Sequence, residues 1–117
     1  MNQPAESDLR MVLAYVQPFM ATAVLDVLHR APGVTGVTVV EARGFGRGRR
    51  AGGATTESIA GTTERTRIET VVAASVAHDV VAAIAAAAHT GQRGDGKVYV
   101  MPVLNGIRIA TGREDER

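Results

Sequence analysis

The chain has 117 residues, a formal net charge of +1, no cysteine, and 3% aromatic residues beside 45% hydrophobic ones. That length predicts a single domain, residues 1–117, with one core made of Val, Ile, Leu and Ala. A disulfide framework and thiolate chemistry are excluded, and the near-neutral charge gives no case for bulk nucleic-acid binding. The absence of cysteine fits a cytoplasmic chain, and the polar first ten residues show no signal-peptide pattern.

In chain order, Leu9 to Val16 reads as a strand ended by Pro18. Phe19, Ala23, Val24, Val27 and Leu28 recur at helical spacing, which predicts a helix over 19–31, stopped by Pro32-Gly33. Val34 to Ala42 reads as a second strand. Residues 43–64 are rich in Gly, Thr and Arg without any period, and read as a long loop; loops of that length inside a small domain are usually functional. Arg65 to Ala73 reads as a third strand. Ser75 is the expected cap of a second helix through His89, whose face is Ala, Val and Ile. Although 71–88 is apolar, His78-Asp79 and the many alanines favour a strand plus helix over a membrane span. Lys97 to Val103 is the fourth strand, Ile107-Arg108-Ile109 a short fifth, and 113–117 a flexible charged tail. The order β-α-β-loop-β-α-β is the split βαβ pattern: an α+β, ferredoxin-like βαββαβ fold with both helices on one face of an antiparallel sheet.

Thr90-Gly91-Gln92-Arg93-Gly94-Asp95-Gly96-Lys97 stands between a helix and a strand. Glycines let backbone N–H groups turn toward an anion, and lysine adds a point charge, so 90–97 reads as a phosphate-binding loop. It is not a P-loop: Val98 offers no hydroxyl for magnesium, and the helix precedes the loop instead of following it. Gly44-x-Gly46 fails as a dinucleotide fingerprint, because Arg49 occupies the third glycine position and no helix follows. Arg43, Arg47, Arg49 and Arg50 form a basic cluster whose only aromatic neighbour is Phe45. That cluster reads as a solvated loop base or a phosphate neighbour sooner than as an RNA-binding module. His29, His78 and His89 lack metal-ligand spacing, so no metal site is assigned. Glu69, a carboxylate without a partner nucleophile, makes no catalytic mechanism, and no catalytic residue is assigned.

With these pieces in order, the chain resembles the PII signal-transduction family from about Arg10 to Gly112. The motifs are Gln17-Pro18-Phe19, Gly33 to Val39, Gly44-Phe45-Gly46-Arg47, Thr90 to Lys97, and Ile107 to Gly112. The resemblance implies a homotrimer with adenine nucleotide in clefts between subunits, ATP and ADP or, as an alternative, AMP. Carried over by position, the backbone of Gly94, Asp95 and Gly96 holds phosphates, aided by Lys97 and by Arg108 of a neighbouring chain. Gly44, Gly46 and Arg47 lie beside the phosphates, and Thr38, Glu69 and Val71 line the adenine pocket. The long loop corresponds to the family's T-loop, which engages partners: a membrane transporter, which would recruit the protein to the membrane, or a nitrogen-metabolism enzyme.

Four positions depart from the family pattern. Gly48 replaces a glutamine that helps hold magnesium and 2-oxoglutarate, so the place of magnesium is left open. Gln17 replaces a lysine, and Ala110 replaces an arginine that clamps the outer phosphate. The loop also carries no tyrosine for uridylylation. Arg65 stands where a lysine pairs with 2-oxoglutarate, and its planar fork can still bind an effector carboxylate. The expectation is a nucleotide-binding regulator whose response to 2-oxoglutarate is lost or altered. The alternatives are a divergent regulator of bicarbonate or metal transport and, in another class, a slow ATPase.

Overall fold

Alternation along Leu9–Val16 builds the strand on which the rest of the fold is assembled. The computed structural model describes residues 8–46 and 61–114. This strand, β1 (Leu9–Val16), pairs antiparallel with β3 (Thr63–Ala73) on one side and β4 (Gly96–Val103) on the other. β2 (Thr38–Gly44) pairs with the outer side of β3, so the sheet order is β2-β3-β1-β4. The helices are α1 (Ala21–Arg30) and α2 (Ala74–Ala88). This is the expected α+β, ferredoxin-like arrangement.

Side chains alternate across a strand, so each strand contributes to both faces. Val12, Ala14 and Val16 of β1 join Ile68 and Val72 of β3 against Val24 and Leu28 of α1 and Ala77, Val80, Ile84 and Ala88 of α2. The four-residue step from Val24 to Leu28, and the three- and four-residue steps along α2, set one helical face on the sheet. The opposite, open face carries Met11, Leu13 and Tyr15, Glu69 and Val71, and Lys97, Tyr99 and Met101 at half-buried to exposed positions. Among the described residues no helix is long and apolar enough to cross a membrane.

Several boundaries differ from the sequence reading. The first helix begins with a 3-10 turn at Pro18–Met20, because proline presets the backbone at a helix start, and the α-helix follows from Ala21. Residues 34–37 are not strand. Val34 and Val37 still pack on the core, and the segment is held by the Thr70 hydroxyl, which donates to the Gly36 carbonyl at 2.6 Å. Ser75 is not the cap of α2: it lies inside the helix, and the N-cap is Ala73, which makes no side-chain capping bond. The backbone N–H of Ala74 is met instead by the Asp8 carbonyl. The β2–β3 ladder runs past the expected edges of the long loop, through Arg43↔Glu64 to Gly44↔Thr63. An Arg43–Glu64 ion pair at 3.1 Å and β-favouring threonines support that extension. The start of the expected tail is ordered: β5 (Ile107–Arg108) pairs with β6 (Arg113–Glu114). The turn between them closes on Arg108 O, which accepts from Thr111 N and Gly112 N at 3.2 and 2.7 Å.

Candidate functional site

The loop after α2 is closed on itself by one carboxylate. His89 ends the helix in an extended conformation, and the chain then folds around Asp95. Oδ2 of Asp95 accepts from Thr90 N at 2.7 Å and Gly91 N at 3.2 Å, while Oδ1 accepts from the Thr90 hydroxyl. Gln92 N in turn donates to the Thr90 hydroxyl oxygen at 3.1 Å. Gly91, Gly94 and Gly96 all have positive φ, so the ring turns where side-chain-bearing residues are strained. These hydrogen bonds, led by that from the Thr90 hydroxyl, favour the ionised carboxyl and hold the Asp95 pKa below its ordinary value. The His89 ring makes a smaller contribution, its Nδ1 lying 3.5 Å from Oδ2. The carboxylate is thus an internal clamp, a role that the sequence reading, concerned only with the backbone of Asp95, missed. The separation of Thr90 from Asp95, a hydroxyl and a carboxylate at the two ends of a glycine-rich turn, was the available signal.

Two side chains tie this ring to the rest of the fold. Gln17, just past the end of β1, donates from Nε2 to the Gly94 carbonyl at 2.7 Å. Arg65, near the start of β3, brings Nη2 to 3.4 Å from the point where a Cβ on Gly94 would stand, while its Nη1 donates to the Glu64 carbonyl at 2.7 Å. Gly96 enters β4 opposite Val16, and a Cβ there would stand 1.8 Å from the Tyr15 carbonyl oxygen. Glycine at 96 is therefore required by the close approach of β1, independently of any ligand. No such requirement exists at Gly44 or Gly46, where nothing lies within 4 Å of a would-be Cβ.

Lys97 lies on the open face opposite Tyr15, and Tyr15 is opposite Arg67, so a lysine and an arginine flank one tyrosine across three strands. Neighbouring strands are about 4.8 Å apart, which sets the two residues about 10 Å apart. With Arg65, they make the loop end of this face basic. Arg67 Nε is 2.8 Å from Glu69 Oε2, an ion pair within one face of β3 that the sequence reading did not draw from the alternation Arg65-x-Arg67-x-Glu69. Thr38 is paired with Glu69 across the β2–β3 ladder, and Val71 follows on the same face. The predicted residues thus fall into groups within one chain. Gly94, Asp95, Gly96, Lys97 and Arg65 gather at the ring; Thr38, Glu69 and Val71 gather toward the opposite edge strand, from which Gly44 and Gly46 lead on. Arg108 is on the β5–β6 ribbon, which makes no strand pairing with the four-stranded sheet. Arg47, with Gly48, lies outside the described residues.

Comparisons with known proteins bear on the family and the fold. The model of the family described as "Nitrogen regulatory protein P-II" matches residues 9–113. The nitrogen regulatory protein P-II of Azospirillum brasilense is 37% identical over 111 residues, covering 91% of this chain and 96% of the relative. A nitrogen regulatory protein of the same kind from Haloferax mediterranei is 36% identical over 112 residues, with coverages of 94% and 90%. The crystal structure of Arabidopsis thaliana PII bound to citrate superposes with a TM-score of 0.75 at 32% identity, covering 94% of this chain and 91% of that one. A ferredoxin-like sheet, a clamped glycine loop and a family match spanning nearly every residue lead to one conclusion: the chain belongs to the P-II family of nitrogen regulatory, signal-transducing proteins.

Proposed function

We propose that the protein is a homotrimeric sensor of adenine nucleotides that regulates a partner through the segment between β2 and β3. The observation that carries the reading is the ring at 90–96: glycines at positive φ, closed by Asp95, with Lys97 and Arg65 beside it. A glycine-rich turn next to cations suits the phosphates of ATP or ADP. Thr38, Glu69 and Val71 supply a patch for the base, and Arg108 of an adjoining subunit completes the phosphate contacts. Assembly is supported by the open sheet face and by the ribbon with the segment leading into it, where Leu104, Ile107 and Ile109 are 85%, 63% and 97% exposed. Apolar surface of this kind is normally covered by a partner.

Signalling follows from population shift. A nucleotide that binds two conformations of the loop with unequal affinity biases them, and a partner reads the favoured one; tight binding without that difference shifts nothing. The partner is a membrane transporter or a nitrogen-metabolism enzyme, and the protein itself is a regulator, not a catalyst. Gly48 brings no side-chain ligand, so magnesium would be held through nucleotide and water, and 2-oxoglutarate would not act as a co-ligand. A second reading, regulation of bicarbonate or metal transport, draws on the same departure at Gly48.

Calorimetric titration with ATP, ADP and AMP, with and without magnesium and 2-oxoglutarate, tests the proposal, with light scattering for the trimer. Nucleotide binding that is indifferent to 2-oxoglutarate is expected. Strong synergy between ATP and 2-oxoglutarate would refute the altered response, and absence of all nucleotide binding would refute the sensor.

A further inference from the structure

The hydrogen bond from Gln17 to the Gly94 carbonyl fixes more than a loop position. A peptide group is planar and trans, so its C=O and N–H point in opposite directions. The carbonyl of Gly94 and the N–H of Asp95 belong to one such group. Holding the first at 2.7 Å from Gln17 Nε2 therefore sets the direction of the second. The constraint matters because Gly94 has φ +87 and no Cβ, which leaves the Gly94–Asp95 peptide freer to rotate than most. Rotation by half a turn would present a carbonyl oxygen where an N–H had been, and an anion would then meet a negative dipole in place of a positive one. The Asp95 side chain bonds Thr90 and Gly91 at the other end of the ring and makes no hydrogen bond to this peptide.

We infer that Gln17 is a positioning residue for phosphate: by pinning the Gly94 carbonyl it aims the Asp95 N–H, one of the backbone donors assigned to the nucleotide. The inference rests on the nucleotide-binding reading above. Gln17 acts through the peptide and carries no charge of its own to the ligand. Space also favours this role. A Cβ on Gly94 would stand 3.3 Å from Gln17 Nε2 and 3.4 Å from Arg65 Nη2, so the two side chains flank the glycine.

The test uses the full chain with Gln17→Ala, the nearly isosteric Gln17→Met, and Gln17→Lys, which retains a donor. Affinities for ATP and for adenosine, which has no phosphate, are measured by calorimetry, and the Asp95 amide is followed by NMR in the free protein. Loss of one neutral hydrogen bond should weaken ATP about fivefold in the alanine and methionine variants. Adenosine binding should be unchanged, the Asp95 amide resonance should move, and Gln17→Lys should recover ATP binding. The inference is overturned if ATP and adenosine weaken together, if neither weakens, or if the Asp95 resonance stays in place. If the unaltered protein binds no nucleotide, the sensor reading fails, and the Asp95 resonance in the free variants still decides whether Gln17 orients the peptide. Gln17→Met guards against a folding defect of the alanine variant, since it keeps the bulk of the side chain and removes the amide.

Discussion

Replacing Gly96 by alanine should damage the protein more than any other single methyl addition near the loop. The backbone at Gly96 has φ +112, and a Cβ built there stands 1.8 Å from the Tyr15 carbonyl oxygen and 2.9 Å from the Tyr15 carbonyl carbon, where ordinary contact begins at 3.4 Å. Neither partner can swing aside, because both are backbone of β1, which is fastened to β3 on its other edge. Two costs combine. Forcing an L-residue into this conformation costs about 2 kcal/mol, and overpacking against rigid backbone costs about 2 kcal/mol more. The chain can reduce the overlap only by detaching the start of β4, which gives up the Val16↔Gly96 pairing and moves the ring. For a chain of this size each kcal/mol corresponds to about 4 °C, so the melting midpoint should fall by roughly 15 °C. The assay is differential scanning calorimetry at matched protein concentration, since assembly makes melting concentration-dependent. A Gly96→Ala protein melting within about 2 °C of its parent would show that β4 does not approach β1 as described.

Three further outcomes follow from the same structure. Ile84→Ala empties a fully buried site between α2 and the sheet and should cost about 3 kcal/mol in denaturant unfolding. Arg43→Ala removes an exposed ion pair with Glu64 and should change stability by less than about 0.5 kcal/mol in the same measurement. Asp95 has a lowered folded-state pKa, so its contribution to loop order is present above the unfolded value and is lost as pH falls through the folded one. The amide resonances of Thr90 and Gly91 should therefore titrate together with a midpoint below 3.8, a transition that Asp95→Asn abolishes.

The first strand and both helices were readable from periodicity because their buried faces are regular: Val24 and Leu28 four apart, and Val12, Ala14 and Val16 inward along β1. Where apolar residues serve a different purpose, the pattern misleads. Val34 and Val37 are three apart and anchor an irregular segment, yet β-branched composition made them resemble a strand. Ser75 carries the right chemistry for a cap, but the chain enters α2 directly from β3, and the turn comes two residues earlier. The strand at Arg113–Glu114 had no hydrophobic signature, since a two-residue ribbon closed by a glycine turn needs none. At the site, the glycines announced the ring, whereas the clamp by the Asp95 carboxylate and the tether by Gln17 depend on contacts that spacing does not encode. The 77 residues separating Gln17 from Gly94 are the clearest case.

The distribution of aromatic residues gives the molecule a selective optical signature. There is no tryptophan, and the two tyrosines, Tyr15 and Tyr99, both project from the open face of the sheet. The packed core between sheet and helices contains no aromatic ring. Tyrosine emission will therefore respond to whatever covers the open face and will be almost blind to the opposite layer, whose loss circular dichroism records through the helices. Dilution or heating that uncouples the two signals would separate uncovering of that face from unfolding of the chain, with no label introduced.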